Sequence, residues 1–375
     1  MRQALLGSAA LGAALVSAGA MAADGVELEI SGRYKGAAGL VLSEDFSGSS
    51  DVRGGDVRGY VFKQDVEIDF EGEIELDNGL MVGAAIELQG QTDEEDQIGS
   101  VYAFFRGGFG ELRFGDTEEA YAQLCYQVPT ASELFGADSP DFSFSNAGIA
   151  GYGATNGTCY GIDDNSTKLV YFSPVVAGFH FAASFAPDAS EDTRNTLDGA
   201  GTRFSNDAGQ NSENLSLAGT FTQDLNGLNL ILGGGATVSF DKEINPNGTG
   251  EARGYNAYAQ VAFSGFTLGA AAELREDFGD DGADQWVYGA GATYNWSAWT
   301  IGVGWTRGDY EKAVGANEGD PFNAGHDIYS ATASYALAPG ISLDGVIEYS
   351  DYQSNDAAGP DYQGLAVGLG TLITF

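Results

Sequence analysis

The chain has 375 residues, 43% of them hydrophobic, and a formal net charge of −38 from 16 Lys and Arg against 54 Asp and Glu. So acidic a chain lacks the clustered Lys and Arg that nucleic acid requires, and its 22 Phe and 18 Tyr do not suit a disordered polyanion. Gly numbers 56 but Pro only 8, so the glycines do not belong to a Pro/Gly linker protein.

Residues 1–23 carry Arg2, then an apolar run, then Ala20-Met21-Ala22. A positive start, an apolar middle and an A-x-A site predict a secretory signal, cut after Ala22 or Ala23. The leader is thus 1–22 and the mature domain 23–375. No later stretch gives the roughly 18 consecutive apolar residues of a membrane helix. The two cysteines are Cys125 and Cys159, and a lone pair in an exported chain predicts a disulfide. The two histidines, His180 and His326, lie far from both cysteines in sequence and suggest no metal centre.

Strict alternation then dominates, which is strand periodicity. In 26–35, Val26, Leu28, Ile30 and Tyr34 take one face, and Glu27, Glu29, Arg33 and Lys35 the other. In 65–76, Val66, Ile68, Phe70, Ile74 and Leu76 alternate with Asp65, Glu67, Asp69, Glu71, Glu73 and Glu75. Farther on, Trp299, Ile301, Val303 and Trp305 alternate with Thr300, Gly302 and Gly304. Short turns such as Asp77-Asn78-Gly79 supply the Asn and Gly that tight hairpins need. They alternate with long polar connections at about 43–57, 89–99, 117–165, 187–212, 241–252, 275–284, 308–326 and 351–361. Seven hairpins, a first strand at 26–42 and a last at 362–375 predict sixteen antiparallel strands. Pairing the first with the last removes both exposed edges. Side chains cannot fill so wide a barrel, and the charged stripe of 65–75 cannot be buried dry. The apolar face therefore turns outward to lipid and the polar face inward to water, in an all-β transmembrane barrel. Trp296, Trp299, Tyr335 and Phe375 suit aromatic girdles.

FFRGGFGELRFGD (104–116), LVYFSPVVAGFHFAASF (169–185), the DNGL turn (77–80) and the final strand ending in Phe375 resemble the sixteen-stranded general porins of Gram-negative outer membranes. The resemblance is especially to the acidic porins of alphaproteobacteria and covers about 24–375. It implies an outer-membrane location, contact with membrane lipid, a homotrimer, and passive passage of small hydrophilic solutes and ions. It also implies that the terminal aromatic Phe375 belongs to the signal read by the barrel-insertion machinery, and that the third long loop, 117–165, folds into the lumen and narrows it. Many members carry Arg after the Gly of the fifth strand, where this chain has Asp116 after Gly115.

On that reading Cys125–Cys159 ties the two arms of the loop. Glu118, Glu119, Glu133, Asp138 and Asp141 form the acidic side of the constriction; Asp163 and Asp164 also lie on the loop. Strand parity puts Arg33, Lys35, Lys63, Arg106, Arg113 and Lys168 on the lumen wall as the basic side. Acids facing bases would set a transverse field. The net charge and the acidic stripe at 65–75 favour cations. Three other readings stand beside this one. A sugar- or ion-specific channel would use Tyr102, Phe104, Tyr126 and Tyr258. An outer-membrane hydrolase would need an inward histidine, for which His180 is the candidate. No cofactor is called for, although carboxylate-dense outer loops such as 279–284 suit Ca²⁺ without an EF-hand spacing.

Overall fold

A computed structural model of the chain describes residues 25–47, 58–90, 97–145, 156–163, 165–188, 212–240, 252–278, 283–311, 323–354 and 361–375. The leader, Asp164 and the acidic run 279–282 lie outside the described residues.

The strands are β1 (Glu27–Ser47), β2 (Tyr60–Glu75), β3 (Met81–Gln89), β4 (Ile98–Gly107), β5 (Gly110–Thr117), β6 (Ser166–Phe172), β7 (Phe179–Asp188) and β8 (Ser212–Asp224). They continue as β9 (Leu228–Ser239), β10 (Arg253–Phe263), β11 (Phe266–Phe278), β12 (Ala283–Trp296), β13 (Trp299–Glu311), β14 (Asn323–Ala338), β15 (Ile341–Ser354) and β16 (Asp361–Thr374). Each pairs antiparallel with its sequence neighbours, and β1 pairs with β16, so the sheet closes as expected. The Gly32 and Phe375 amides exchange hydrogen bonds at 2.9 and 3.0 Å at the seam. Closure leaves no strand edge for lipid to expose.

Side-chain alternation sorts the two faces. Ile30, Phe62, Val303, Ile347 and Leu369 point outward, and Phe62 and Leu369 are 82% and 73% exposed. At the short-turn rim, aromatic rings touch in series from Phe263 through Phe266, Tyr294, Trp296 and Trp299 to Tyr335. Such rings suit the membrane interface. Gly79 closes the turn before β3 at φ +77°, a left-handed value that a side chain disfavours.

Several strands outrun the sequence expectation. β1 continues to Ser47 rather than ending near 42, β13 runs to Glu311, and β15 to Ser354. Apolar alternation stops there, but the ladder does not: Asp309 still pairs with Gly325 and Asp351 with Asp327. A membrane strand needs about 9–11 residues. β14 has 16 and β16 has 14, whereas β5 has 8 and β6 has 7. The barrel is therefore tall on one side and short on the other.

Most of its buried clusters lie where the long loop after β5, hereafter loop 3, meets the wall, and another joins Ala324, Tyr352 and Tyr362 on β14–β16. Ala120 and Leu124 pack with Val170 and Ala218; Val128 packs with Ile231 and Tyr258. Leu134, Phe135, Phe142 and Phe144 pack with Ala37, Val346 and Ala366.

Candidate functional site

Loop 3 leaves β5, makes the short helix α1 (Ala120–Gln123), and sweeps around the inner wall. The Ala120 and Tyr121 amides donate to Ser184 Oγ and Ser216 Oγ at 3.0 and 2.7 Å. Gln260 Nε2 donates to the Gln127 carbonyl at 2.8 Å, and the Ala131 amide donates to Thr332 Oγ1 at 3.1 Å. On the return arm, Asn156 Nδ2 donates to the His326 carbonyl at 2.8 Å and the Tyr160 amide to Glu273 Oε2 at 2.9 Å.

Glycines pave the wall under this path. A Cβ at Gly39 would lie 2.0 Å from the Phe144 ring, and one at Gly368 2.1 Å from the same ring. At Gly291 it would lie 2.5 Å from the Pro129 carbonyl, at Gly370 2.7 Å from Leu134, and at Gly302 2.9 Å from the Ala131 nitrogen. The loop is flush with the strands because no side chain stands between. Part of the glycine excess in the composition is explained here.

Cys125 and Cys159 are bonded, with Cα atoms 5.7 Å apart, and join the two arms. Two of the expected constriction acids hold the loop instead of facing its open side. Glu119 is 1% exposed; its carboxylate accepts from the Ile162 and Asp163 amides at 2.7 and 3.3 Å and from Thr237 Oγ1 at 2.6 Å. Burial raises its pKa to about 7, against the lowering pull of the Thr237 hydroxyl. Asp138 accepts from the Val128 and Thr158 amides at 2.8 and 2.9 Å. Burial raises its pKa too. A short loop carboxylate finds its donors in the loop's own backbone, and sequence parity cannot foresee that. Glu118, Glu133 and Asp141 are exposed.

The wall cations are likewise not bare. Arg33 pairs with Glu67. Lys35 Nζ lies 3.1 Å from Asp65 and 2.8 Å from Asp141, which joins an expected constriction acid to an expected wall base. Arg106 reaches Glu111 at 2.7 Å, Glu73 at 3.5 Å and Glu71 at 3.8 Å. Arg113 pairs with Glu111 and lies between the Tyr102 and Phe172 rings, 4.8 and 4.9 Å from their centroids. Lys168 is buried, 3.4 Å from Asp163. Lys63 meets no carboxylate at that range and donates to the Ser143 carbonyl at 2.5 Å. The expected field of loop acids against bare wall bases thus becomes a wall of neighbouring ion pairs. The partners missed by sequence reading are Glu67, Glu71, Glu73 and Glu111: Glu67 faces Arg33 from the neighbouring strand, Glu71 and Glu73 on β2 reach Arg106 on β4 across β3, and Glu111 on β5 serves both Arg106 and Arg113. On the same wall Glu27, Glu29, Glu75 and Glu87 have no salt-bridge cation among the described residues.

Asp116 shares the outward parity of Phe114, and its carboxylate accepts from Thr167 Oγ1. Its side chain is therefore on the far side of the wall from the lumen. Of the two histidines, not only His180 but also His326 points inward. His326 Nε2 lies 2.6 Å from Ser350 Oγ, but both residues are 0% exposed under the return arm of loop 3. A substrate cannot reach that pair. Among the expected lumen aromatics, Tyr126 on loop 3 and Tyr258 on β10 meet in a tilted contact at 5.3 Å, apart from Tyr102 and Phe104 on β4. Glu67, Asp69 and Glu87 bring carboxylate oxygens within 4.8 Å of one another, with Arg33 as counter-charge.

A family model described as Gram-negative porin matches residues 7–355. No curated protein matches the sequence. OmpF of Salmonella typhi, solved in complex with daunomycin, superposes at a TM-score of 0.61 and 14% identity, covering 94% of this chain and 98% of that one. In-vitro folded OmpT, an outer membrane protein of Vibrio cholerae in trimer form, gives 0.60 and 11% over 94% and 100%. A porin refined at 1.8 Å gives 0.56 and 18% over 93% and 100%. At these identities the structural likeness speaks to the fold alone.

Proposed function

The chain belongs to the Gram-negative porin family and is a channel of the outer membrane, and from that premise we propose a general diffusion pore for small hydrophilic solutes and ions that prefers cations. The observation that carries the preference is the wall of β2–β5. Its cations Arg106 and Arg113 are matched by Glu71, Glu73 and Glu111, and further carboxylates remain beside them. A lumen whose fixed positive charge is locally cancelled and whose surplus is negative concentrates cations. Loop 3, residues 117–165, is the constriction, with Glu118, Glu133 and Asp141 as the acids at its open side; Glu119 and Asp138 act as its internal fasteners. Residues 1–22 are removed as an export signal, and 23–375 form the mature barrel. No catalytic role is assigned. Three copies assemble through the short side of the barrel, where β3–β6 leave the least wall for lipid to cover; the trimer form of Vibrio cholerae OmpT supports this reading.

The test is the reversal potential across a planar bilayer under a KCl gradient. The expected sign favours K⁺. The preference shrinks as ionic strength rises, because the screening length falls from about 10 Å at 0.1 M to about 3 Å at 1 M. A Cl⁻ preference at low salt would overturn the assignment.

A further inference from the structure

Among the described lysines and arginines, all but two lie within 4.0 Å of a carboxylate; the exceptions are Arg58 and Lys63. In a chain of formal charge −38 that is an unusual pair to leave without acids. Both line the same crevice, a cavity of about 250 Å³ between β1, β2 and the 143–145 segment of loop 3. Val41, Val61 and the Phe144 ring form its apolar side, opposite polar groups that include Ser143 and Ser145, with Gly39 and Gly59 giving the space. Lys63 Nζ lies 5.7 Å from the Phe144 ring centroid. Its bond to the Ser143 carbonyl occupies one of the three ammonium donors. Arg58 also lines it, its guanidinium 5.8 Å from the Tyr60 ring centroid. The β15 acid Glu348 is engaged with the Ser143 hydroxyl at 2.8 Å and the Ser145 amide at 3.1 Å. That carboxylate still bears on Lys63 through space, yet it leaves the ammonium without a direct ionic partner.

The chemistry is a slot with one apolar side, two cationic donors and room for a small ligand. We propose that this crevice is a binding subsite for a small solute carrying one carboxylate on an apolar body, such as a short aryl or alkyl acid. The carboxylate meets Lys63, with Arg58 adding attraction, and the hydrocarbon covers Val41, Val61 and the Phe144 ring. The subsite is independent of the ion preference proposed above, since binding of one solute and bulk ion selection are read by different measurements.

Equilibrium dialysis of labelled benzoate against the purified full-length barrel in detergent tests it. Saturable binding is expected, unaffected by an equal concentration of benzyl alcohol, which has the ring without the charge. Lys63→Met should weaken binding about tenfold or more, the loss that one charge-assisted contact carries. Lys63→Arg should restore most of it, and Arg58→Gln should weaken it less than Lys63→Met. No saturable benzoate binding to the wild-type barrel would overturn the proposal. So would displacement by benzyl alcohol as effective as by benzoate, or binding undiminished in Lys63→Met.

Discussion

Glu119 shows how one loop carboxylate links protonation to the position of the whole loop. Burial raises its pKa from 4.5 to about 7 in the docked loop. A carboxyl that holds its proton more tightly when docked than when released stabilises docking at low pH. The contribution is complete below about pH 4.5 and is lost as pH climbs through about 7. Asp163 is raised by burial as well, with Lys168 pulling the other way, so it adds in the same direction. Amide exchange in 119–124 and 156–163, corrected for intrinsic rates, should therefore be slower at pH 5 than at pH 8. Glu119→Gln should flatten most of that difference. Protection that rises with pH would contradict this account. None of it was legible beforehand. The sequence shows an acid at the start of the long loop, whereas its donors, the Ile162 amide and Thr237, lie more than forty residues away on separate segments.

Loop 3 as an element is held by three devices of different kind: the disulfide, the polar anchors and the glycine-paved wall. Closing a loop across the 34-residue separation of Cys125 and Cys159 is worth about 3–4 kcal/mol in the chain-entropy model. Because the other anchors remain, reduction or Cys125→Ser with Cys159→Ser should leave the sixteen-strand sheet intact. The open-channel current should become noisier, and the barrel's thermal transition by circular dichroism should hardly move. A collapse of that transition would mean the disulfide holds the wall and not the loop. The paving predicts a contrasting effect. Gly39→Val drives a side chain into the Phe144 ring and should cost about 1–3 kcal/mol. It should also change single-channel conductance by shifting the 142–145 segment, and Gly368→Val should do the same from the other side. The existence of loop 3 and its disulfide were readable from length and cysteine count. Its bed was not, because a glycine in an alternating strand looks the same whether it faces water or a packed ring.

Across the whole molecule, strand alternation made the barrel legible, and long-range register hid the charge arrangement. Arg106 can be assigned to the lumen by parity alone. That it meets Glu73, 33 residues away, and Glu111 across the β4–β5 hairpin depends on how the strands are staggered. Strand ends were misjudged for a related reason: beyond the membrane the ladder persists while the apolar signal does not, as at Ser47 and Ser354. The pairing leads to a prediction for the channel. Neutralising Glu71, Glu73 and Glu111 together leaves Arg106 and Arg113 without their partners. The reversal potential should then move toward Cl⁻, further than when Glu118, Glu133 and Asp141 are neutralised. If the loop triple variant shifts it more, the aperture acids and not the wall control selection.

The paved wall has a consequence for how such a channel diversifies. The glycines under Phe144, Pro129 and Ala131 stand on β16, β1 and β11–β13, whereas Arg106, Arg113 and the acids that match them stand on β2–β5. Sieve width and ion choice are therefore written on different staves of the same barrel. A methyl group added beneath the loop acts as a shim that narrows the hole without altering its charge. A Glu-to-Gln exchange on β2–β5 changes the sign of traffic without altering the bore. Substitutions of the two kinds should combine additively, so lineages can drift in size cutoff and in electrical preference independently.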